Sequence, residues 1–331
     1  MNPPASVDAI LDAWGLPRPR VTSRAEGGYQ NTTLFVTCAA GEFVLRLYSN
    51  VVDPARQRFE HELLGRLASA ELSFAVPRPL PSDDGDTLRV VDGRLAVLFA
   101  RIPGETLAKD GGPYVGRAAA ALAELDIALG ALREFEHRPP IFDGDLTRVH
   151  LLADDLDEAV AEAGLEPDFR NALRGGLERT AELAVPLYAS LPQQVTHGDF
   201  AFGNTLVRNG RVTGLIDFEV AGIDVRAMDM AVGLYRFPAY EDSLGQCDIF
   251  GQGYSTVLPL DPTEIAAIPA LLELRAGVSL LHWIGRMRAG LATIEEVRPR
   301  ARRALLTYDW VQDHGEDLAR RAIAWIGDRA L

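Results

Sequence analysis

Cysteine is scarce in this sequence. Cys38 and Cys247 are the only two in 331 residues, too few for a disulfide framework, and no CxxC or Cys/His cluster points to zinc. Positive charge is also in short supply: the formal net charge is −14, which argues against nucleic-acid binding, since that needs a basic footprint. The acidity suits solubility and by itself says little about a cationic substrate. The opening stretch MNPPASVDAILDAWG lacks the basic start and apolar centre of a signal peptide. Uninterrupted apolar runs such as LAVLFA at 95–100 are far too short to span a bilayer. These absences lead us to expect a soluble, cytoplasmic protein, monomer or homodimer, with neither a membrane nor a nucleic-acid partner.

What is present is enough chain for two lobes, with no internal repeat or low-complexity tract. Residues 6–14 carry Val7, Ile10, Leu11 and Trp14 on one helical face, and TLFVTCAAGEFVLRLY (33–48) reads as two strands around a turn at Gly41. Between 53 and 70, Phe59, Leu63, Leu64 and Leu67 recur at helical spacing. A Pro/Asp-rich loop (76–86) follows, then a second hairpin, 88–102, turning at Asp92-Gly93. The rest is mostly helical: Leu122, Leu125, Leu129 and Leu132 make one stripe, and further helices are expected over 150–190, 264–292 and 300–327. One β-rich island, 193–220, interrupts them. The layout predicts an α+β, bilobal chain, with a small β-rich lobe at 1–101 and a larger mostly helical lobe at 102–331. A site is expected near the connector, residues 101–105.

The island holds THGDFAFGNTLVRNGRVTGLIDFE, residues 196–219. Asn209-Gly210 between two strand-like runs is a strong hairpin signal, and a hairpin of this length returns Asp217 to the neighbourhood of Asn204. Taken singly, each polar residue has a plain reading: Asp199 as a turn or cap residue, Asn204 as a turn residue tolerant of the left-handed region, Asp217 as a strand-end cap. Taken together, one amide and one carboxylate meet, with a second carboxylate close in sequence. Such oxygen donors suit Mg²⁺, which takes one or two protein groups and completes its shell with phosphate oxygens. The spacing D-x-x-x-x-N followed by a strand-borne D-F is also the layout of protein-kinase catalytic and metal-binding loops.

HGDFAFGNTL…GLIDFEVAGIDVRAMDMA resembles the aminoglycoside phosphotransferase and choline kinase superfamily, a protein-kinase-like group in which HGD replaces HRD. The resemblance implies Asp199 as catalytic base, Asn204 and Asp217 as Mg²⁺ ligands, ATP as phosphoryl donor, and Asp229 as a brace of the catalytic loop. His197 is read as packing and hydrogen-bonding that loop rather than transferring protons. AEGGYQNTTLFV (25–36) resembles the phosphate-covering turn, though it is not G-x-G-x-x-G; Gly27 and Gly28, with Tyr29 and Gln30, would approach phosphate through backbone N–H groups, or form a simple turn. Arg46, in FVLRLY, stands where the family's nucleotide-positioning lysine is expected and can grip phosphate bidentately, unless it snorkels from an exposed strand. Glu60 lies on the apolar face of its helix, where a carboxylate needs a partner, so it is the expected mate of Arg46; Glu62 lies on the other side with Arg66. LFARIPGET, with Phe99 and Arg101 near its start, resembles the adenine-binding hinge.

The acceptor is expected to be a small molecule with a hydroxyl group. GYSTVLPLDPTEIAAIP (253–269) and LLELRAGVSLLHWIGRMRAGL (271–291) resemble the homoserine-kinase-like branch, in which Arg286 or Arg288 would meet a substrate carboxylate. Glu219, Tyr235 and Trp283 are further candidate acceptor contacts, though a tryptophan at helical spacing is more often core. Choline or ethanolamine would use an aromatic cage of Tyr235, Phe237, Tyr240 and Trp283; an aminoglycoside or sugar is a further alternative. A different class, a catalytically inactive nucleotide-binding regulator, is opposed by the intact Asp199, Asn204 and Asp217. Protein-kinase activity is opposed by the lack of an APE-like segment.

Overall fold

Alternation of apolar and polar residues, rather than overall hydrophobicity, decides the first hundred residues. A computed structural model describes residues 7–25, 31–48, 54–91 and 93–327. In chain order it shows α1 (Val7–Asp12), β1 (Val21–Arg24), β2 (Asn31–Cys38), β3 (Gly41–Tyr48), α2 (Pro54–Leu67), β4 (Arg89–Val91), β5 (Arg94–Ala100) and β6 (Glu105–Thr106). Next come α3 (Val115–Ala131), α4 (Leu156–Glu162), α5 (Pro167–Ser190), β7 (Gln193–Thr196), β8 (Thr205–Arg208), β9 (Arg211–Leu215) and β10 (Gly222–Val225). The last helices are α6 (Ala227–Leu234), α7 (Ser243–Ser255), α8 (Pro262–Arg288) and α9 (Ile294–Trp325). The architecture is α+β, β-rich in the N-terminal region and mostly helical in the C-terminal part.

The chain divides into two compact units. The first comprises Met1–Leu107, Ala131–Pro140 and Gly203–Ala221. Its five-stranded antiparallel sheet runs β1-β2-β3-β5-β4. One face of the sheet supplies Val36, Leu45, Ala96 and Leu98, which pack with Ile10 and Leu11 of α1 and with Leu16. Helix α2 buries Phe59, Leu63, Leu64 and Leu67 together with one carboxylate, Glu60. The hairpin β8–β9 also belongs to this unit and pairs with β6.

The second unit comprises Ala108–Gly130, Ile141–Phe202 and Gly222–Leu331. Its core is helical, built around α8, which buries Ile265, Ile268, Leu271, Leu272, Leu280 and Leu281 among others. Asp261 starts α8 with a capping box: its side chain accepts from Thr263 N and Glu264 N, while Glu264 accepts from the Asp261 N–H. The antiparallel ribbon β7–β10 pairs Thr196 with Gly222 and Gln193 with Val225, and so holds both ends of the segment that begins with His197.

Three details differ from the sequence expectation. Strand β1 was not anticipated, because all four of its residues are exposed and show no alternation. Leu132 falls beyond the end of α3 and does not extend its buried stripe. Helix α8 is long and apolar enough by length and composition to cross a membrane, yet 61% of that window is buried within the protein, as a core helix is. Scanning for unbroken apolar runs overlooks it, because Glu273 and Arg275 interrupt the run. Of the expected second turn, Asp92 lies outside the described residues; Gly93 takes φ 73°.

Candidate active site

In the first unit, the local chemistry of the hairpin sets the geometry. Asn209 and Gly210 adopt φ 52° and 78°, the positive pair that a tight hairpin turn requires. The strands zip from Arg208–Arg211 to Thr205–Leu215, with an irregularity between Leu206 and Val207. Beyond the last ladder pair, the Ile216 N–H donates to the Asn204 carbonyl at 2.9 Å. That bond sets Asn204 beside the residue preceding Asp217. Asp217 itself takes φ 75°, a left-handed conformation that aspartate tolerates better than most residues.

Arg46, on β3, joins three carboxylates of the same unit. Its guanidinium lies 2.8 Å from Glu219 Oε1, 3.4 Å from Glu60 Oε1 and 3.8 Å from Asp217 Oδ1. It also lies 5.4 Å from the Phe99 ring centre. Burial opposes its charge, but Glu219, Glu60 and Asp217 outweigh that, and its pKa is raised. Glu60 is pushed up to about 7 by burial, against the pull of Arg46, and the Tyr48 hydroxyl donates to its Oε2 at 3.2 Å. Burial likewise raises Glu219, against Arg46, and the Asp217 charge adds to the rise. The Asn31 side-chain amide donates to Glu219 Oε1, and Arg56 Nε donates to the Glu219 carbonyl at 2.9 Å. Lys109 is the chain's single lysine, so arginine supplies nearly all of its cationic chemistry.

In the second unit, the segment after β7 is anchored by a buried carboxylate. Asp229, fully buried on α6, accepts the His197 N–H at 2.6 Å and the Gly198 N–H at 2.8 Å. The Asp199 N–H donates to His197 Nδ1 at 3.2 Å. Two further acids lie behind the segment. Asp126 is held well above the carboxylate range by burial and by the neighbouring Asp229 charge, and it accepts the Tyr254 hydroxyl at 2.6 Å. Asp224 is pushed up to about 7, chiefly by burial, and accepts the Tyr188 hydroxyl at 2.6 Å.

Asp199 has a partner that the sequence did not suggest. Arg275 Nη2, on α8, donates to Asp199 Oδ1 at 2.8 Å, and its Nη1 lies 3.4 Å from the Gly198 carbonyl. Arg286, about three helical turns further along α8, instead donates to the Leu291 carbonyl at 3.2 Å. Arg288 pairs with Glu158 and Glu162. Trp283 is buried, with the Arg300 guanidinium 3.4 Å and that of Arg286 5.2 Å from its ring centre. Tyr235 is half-buried, and Arg303 lies 5.6 Å from its ring centre.

The remaining sequence candidates distribute as follows. Within the first unit, Glu219 joins Arg46. Glu62 pairs with Arg66 at 2.6 Å and accepts the N–H groups of Glu136 and His137. The Arg101 side chain turns to Glu42 at 3.0 Å and to the Phe35 ring, and its backbone N–H extends the sheet to the Glu42 carbonyl. Gly27, Gly28, Tyr29 and Gln30 lie outside the described residues. Among the described residues no three His, Cys, Asp or Glu side chains gather as a self-sufficient metal cage. Asn204 and Asp217 offer one amide and one carboxylate, and a divalent cation can take so few protein ligands when phosphate supplies the others.

The sequence profile of the phosphotransferase enzyme family matches residues 21–267. The homoserine kinase of Gluconacetobacter diazotrophicus is 31% identical over 261 residues, 74% of each chain. Among solved structures, a microcompartment-associated aminopropanol kinase superposes with a TM-score of 0.67 at 16% identity, covering 93% of this chain and 96% of that one. An amicoumacin kinase, solved in complex with AMP-PNP, Ca²⁺ and Ami, gives 0.64 at 16% identity, covering 87% and 88%. At such identity these two likenesses speak to the fold, which is protein-kinase-like. With three quarters of its length matched, the chain belongs to the phosphotransferase enzyme family and is a small-molecule kinase acting on hydroxyl groups.

Proposed function

We propose that the protein transfers the γ-phosphoryl group of ATP to the hydroxyl of a small amino-alcohol-type metabolite, with a homoserine-like acceptor favoured. The observation that carries the reading is the Ile216 N–H to Asn204 carbonyl bond. It brings an amide-bearing and a carboxylate-bearing residue together at the foot of one hairpin. Asn204 and Asp217 would hold Mg²⁺, which when bound neutralises phosphate charge. Arg46 orients the phosphates, while Glu60 and Glu219 hold its guanidinium in place. Asp199, tied to Asn204 through four intervening residues, takes the acceptor's proton as the hydroxyl oxygen bonds to the γ-phosphorus. The bond from that phosphorus to the β–γ bridging oxygen breaks, its electron pair leaves with ADP, and Asp199 passes the proton to solvent. Positioning and charge neutralisation supply most of the rate.

Identity to homoserine kinases favours a homoserine-like acceptor. The aromatic residues speak against choline. A quaternary ammonium needs open aromatic faces, whereas Trp283 carries Arg300 and Tyr235 carries Arg303, and Phe237 is fully buried.

The test is ADP release with Mg-ATP across L-homoserine, L-serine, choline, ethanolamine, hexoses and two aminoglycosides, with Asp199→Asn protein as control. Release that depends on homoserine and is lost in the control supports the proposal. Release with choline or an aminoglycoside but not with homoserine overturns the acceptor. ATP binding without release on any acceptor favours a nucleotide-binding regulator instead.

A further inference from the structure

Around Asp199 the second unit gathers cations, against the trend of an acidic chain. Arg275 reaches Asp199 directly. Arg303 Nη2 donates to the Arg236 carbonyl at 3.2 Å and its guanidinium lies over Tyr235. Arg236 stacks 4.6 Å from the Phe202 ring centre and donates from Nη1 to the Lys109 carbonyl. Among the described residues, the one ion pair made by Arg236, Arg275 and Arg303 is that of Arg275 with Asp199. The Nε atoms of both Arg236 and Arg275 are buried without a hydrogen-bond partner. Burial also lowers the Arg236 pKa; Tyr240 and Asp199 oppose the shift, while Arg303 and Arg275 add to it.

Half-buried guanidiniums with unused donors are costly. A group of three served by one carboxylate is short of negative charge, and arginine's planar fork suits carboxylate and phosphate oxygens. We infer that Arg236, Arg275 and Arg303 form a subsite for an anionic group on the acceptor, and that Arg275 is shared between that group and Asp199. Arg275 donates to Asp199 Oδ1, the oxygen that would otherwise accept a hydroxyl proton. An acceptor carrying a carboxylate draws Arg275 toward itself and releases that oxygen. Asp199 therefore becomes available as the acceptor arrives, and water is a poor substitute because it brings no anion. Arg275 is thus a specificity-determining residue acting on both substrate and base. The inference rests on the phosphoryl-transfer reading above and adds to it the charge of the acceptor and the residues that sense it.

Matched pairs test it. L-homoserine and 3-aminopropan-1-ol differ by one carboxylate, as do L-serine and ethanolamine. Isothermal titration with a non-hydrolysable ATP analogue present is expected to show the acid of at least one pair binding about tenfold or more tighter to the wild type. Arg275→Gln and Arg303→Gln should remove that preference and leave nucleotide affinity unchanged, while Arg275→Lys should restore part of it. Acceptor-independent ADP release should rise several-fold in Arg275→Gln. Equal binding of acid and alcohol in both pairs, or a preference that survives both glutamine variants, overturns the subsite. Background release no higher than wild type in Arg275→Gln overturns the sharing of Arg275. Titration needs no turnover, so an acid preference without acceptor-dependent ADP release would leave the subsite standing while the kinase reading fell.

Discussion

The two units present opposite charge balances around their site residues. In the first, one guanidinium, Arg46, is ion-paired with three carboxylates. In the second, one carboxylate, Asp199, is ion-paired with the foremost of three arginines. Neither arrangement is self-neutralising, and burial makes the imbalance expensive. Under the proposed function a cation would complete the first and an anion the second. The difference teaches that the two sets of site residues leave charge of opposite sign to be matched, which a metal ion at the hairpin and an anionic acceptor at the arginines would do.

The largest expected effect comes from removing a proposed metal ligand from the acidic side. Asp217→Ala should lower kcat by about a thousandfold or more in a coupled ADP assay at saturating Mg²⁺; full activity in that variant would remove the hairpin from the reaction. Next is the cation of that side. Arg46→Met leaves Glu60, Glu219 and Asp217 uncompensated and should cost about 3–5 kcal/mol of stability in urea titration, part of it regained in Arg46→Met/Glu219→Gln. No loss would mean that the acids shed their charge by taking up protons once Arg46 is gone.

A pH profile sharpens the comparison further. Glu60 binds its proton more tightly folded than unfolded, with a pKa raised from 4.5 to about 7. Between those values the folded protein therefore holds the additional proton. Its contribution, full below pH 4.5, is lost as pH rises to 7, a fall of up to about 3 kcal/mol. Glu60→Gln should flatten that part of the stability profile, and an unchanged slope would refute the assignment. The smallest effect concerns the hairpin turn. Asn209→Ala at positive φ should cost about 1 kcal/mol, read as a lower denaturation midpoint with kcat nearly unchanged.

Much of the first half was legible because its signals are local. Asn-Gly between two strand-like runs announces the hairpin, and Glu60 on an apolar helix face announces a buried partner. The partner set was only half visible. Glu219 reaches Arg46 by a contact across many residues, and it rather than Glu60 makes the shortest bond. The second half was less legible still. Helical periodicity sets Arg275 between buried Leu274 and Ala276, and nothing in that pattern names a partner 76 residues earlier. The resemblance sets Arg286 or Arg288 at a substrate carboxylate; in the structure Arg286 donates to the Leu291 carbonyl and Arg288 pairs with Glu158 and Glu162 of α4. Contacts in three dimensions, not sequence order, set Arg275 apart as the α8 arginine that meets Asp199.

The left-handed backbone at Asp217 narrows what evolution can do there. Two filters would act on one position: the φ of 75° admits chiefly Gly, Asn and Asp, and the proposed metal role beside the neutral Asn204 amide would ask for a charged carboxylate. Glutamate passes the second filter and is penalised by the first; glycine passes the first and fails the second. Aspartate alone satisfies both. A lineage that abandoned catalysis would drift most easily to asparagine or glycine at this position, keeping its fold while losing its chemistry. On the proposed function, the residue at 217 would serve as a compact marker for separating active relatives from retired ones.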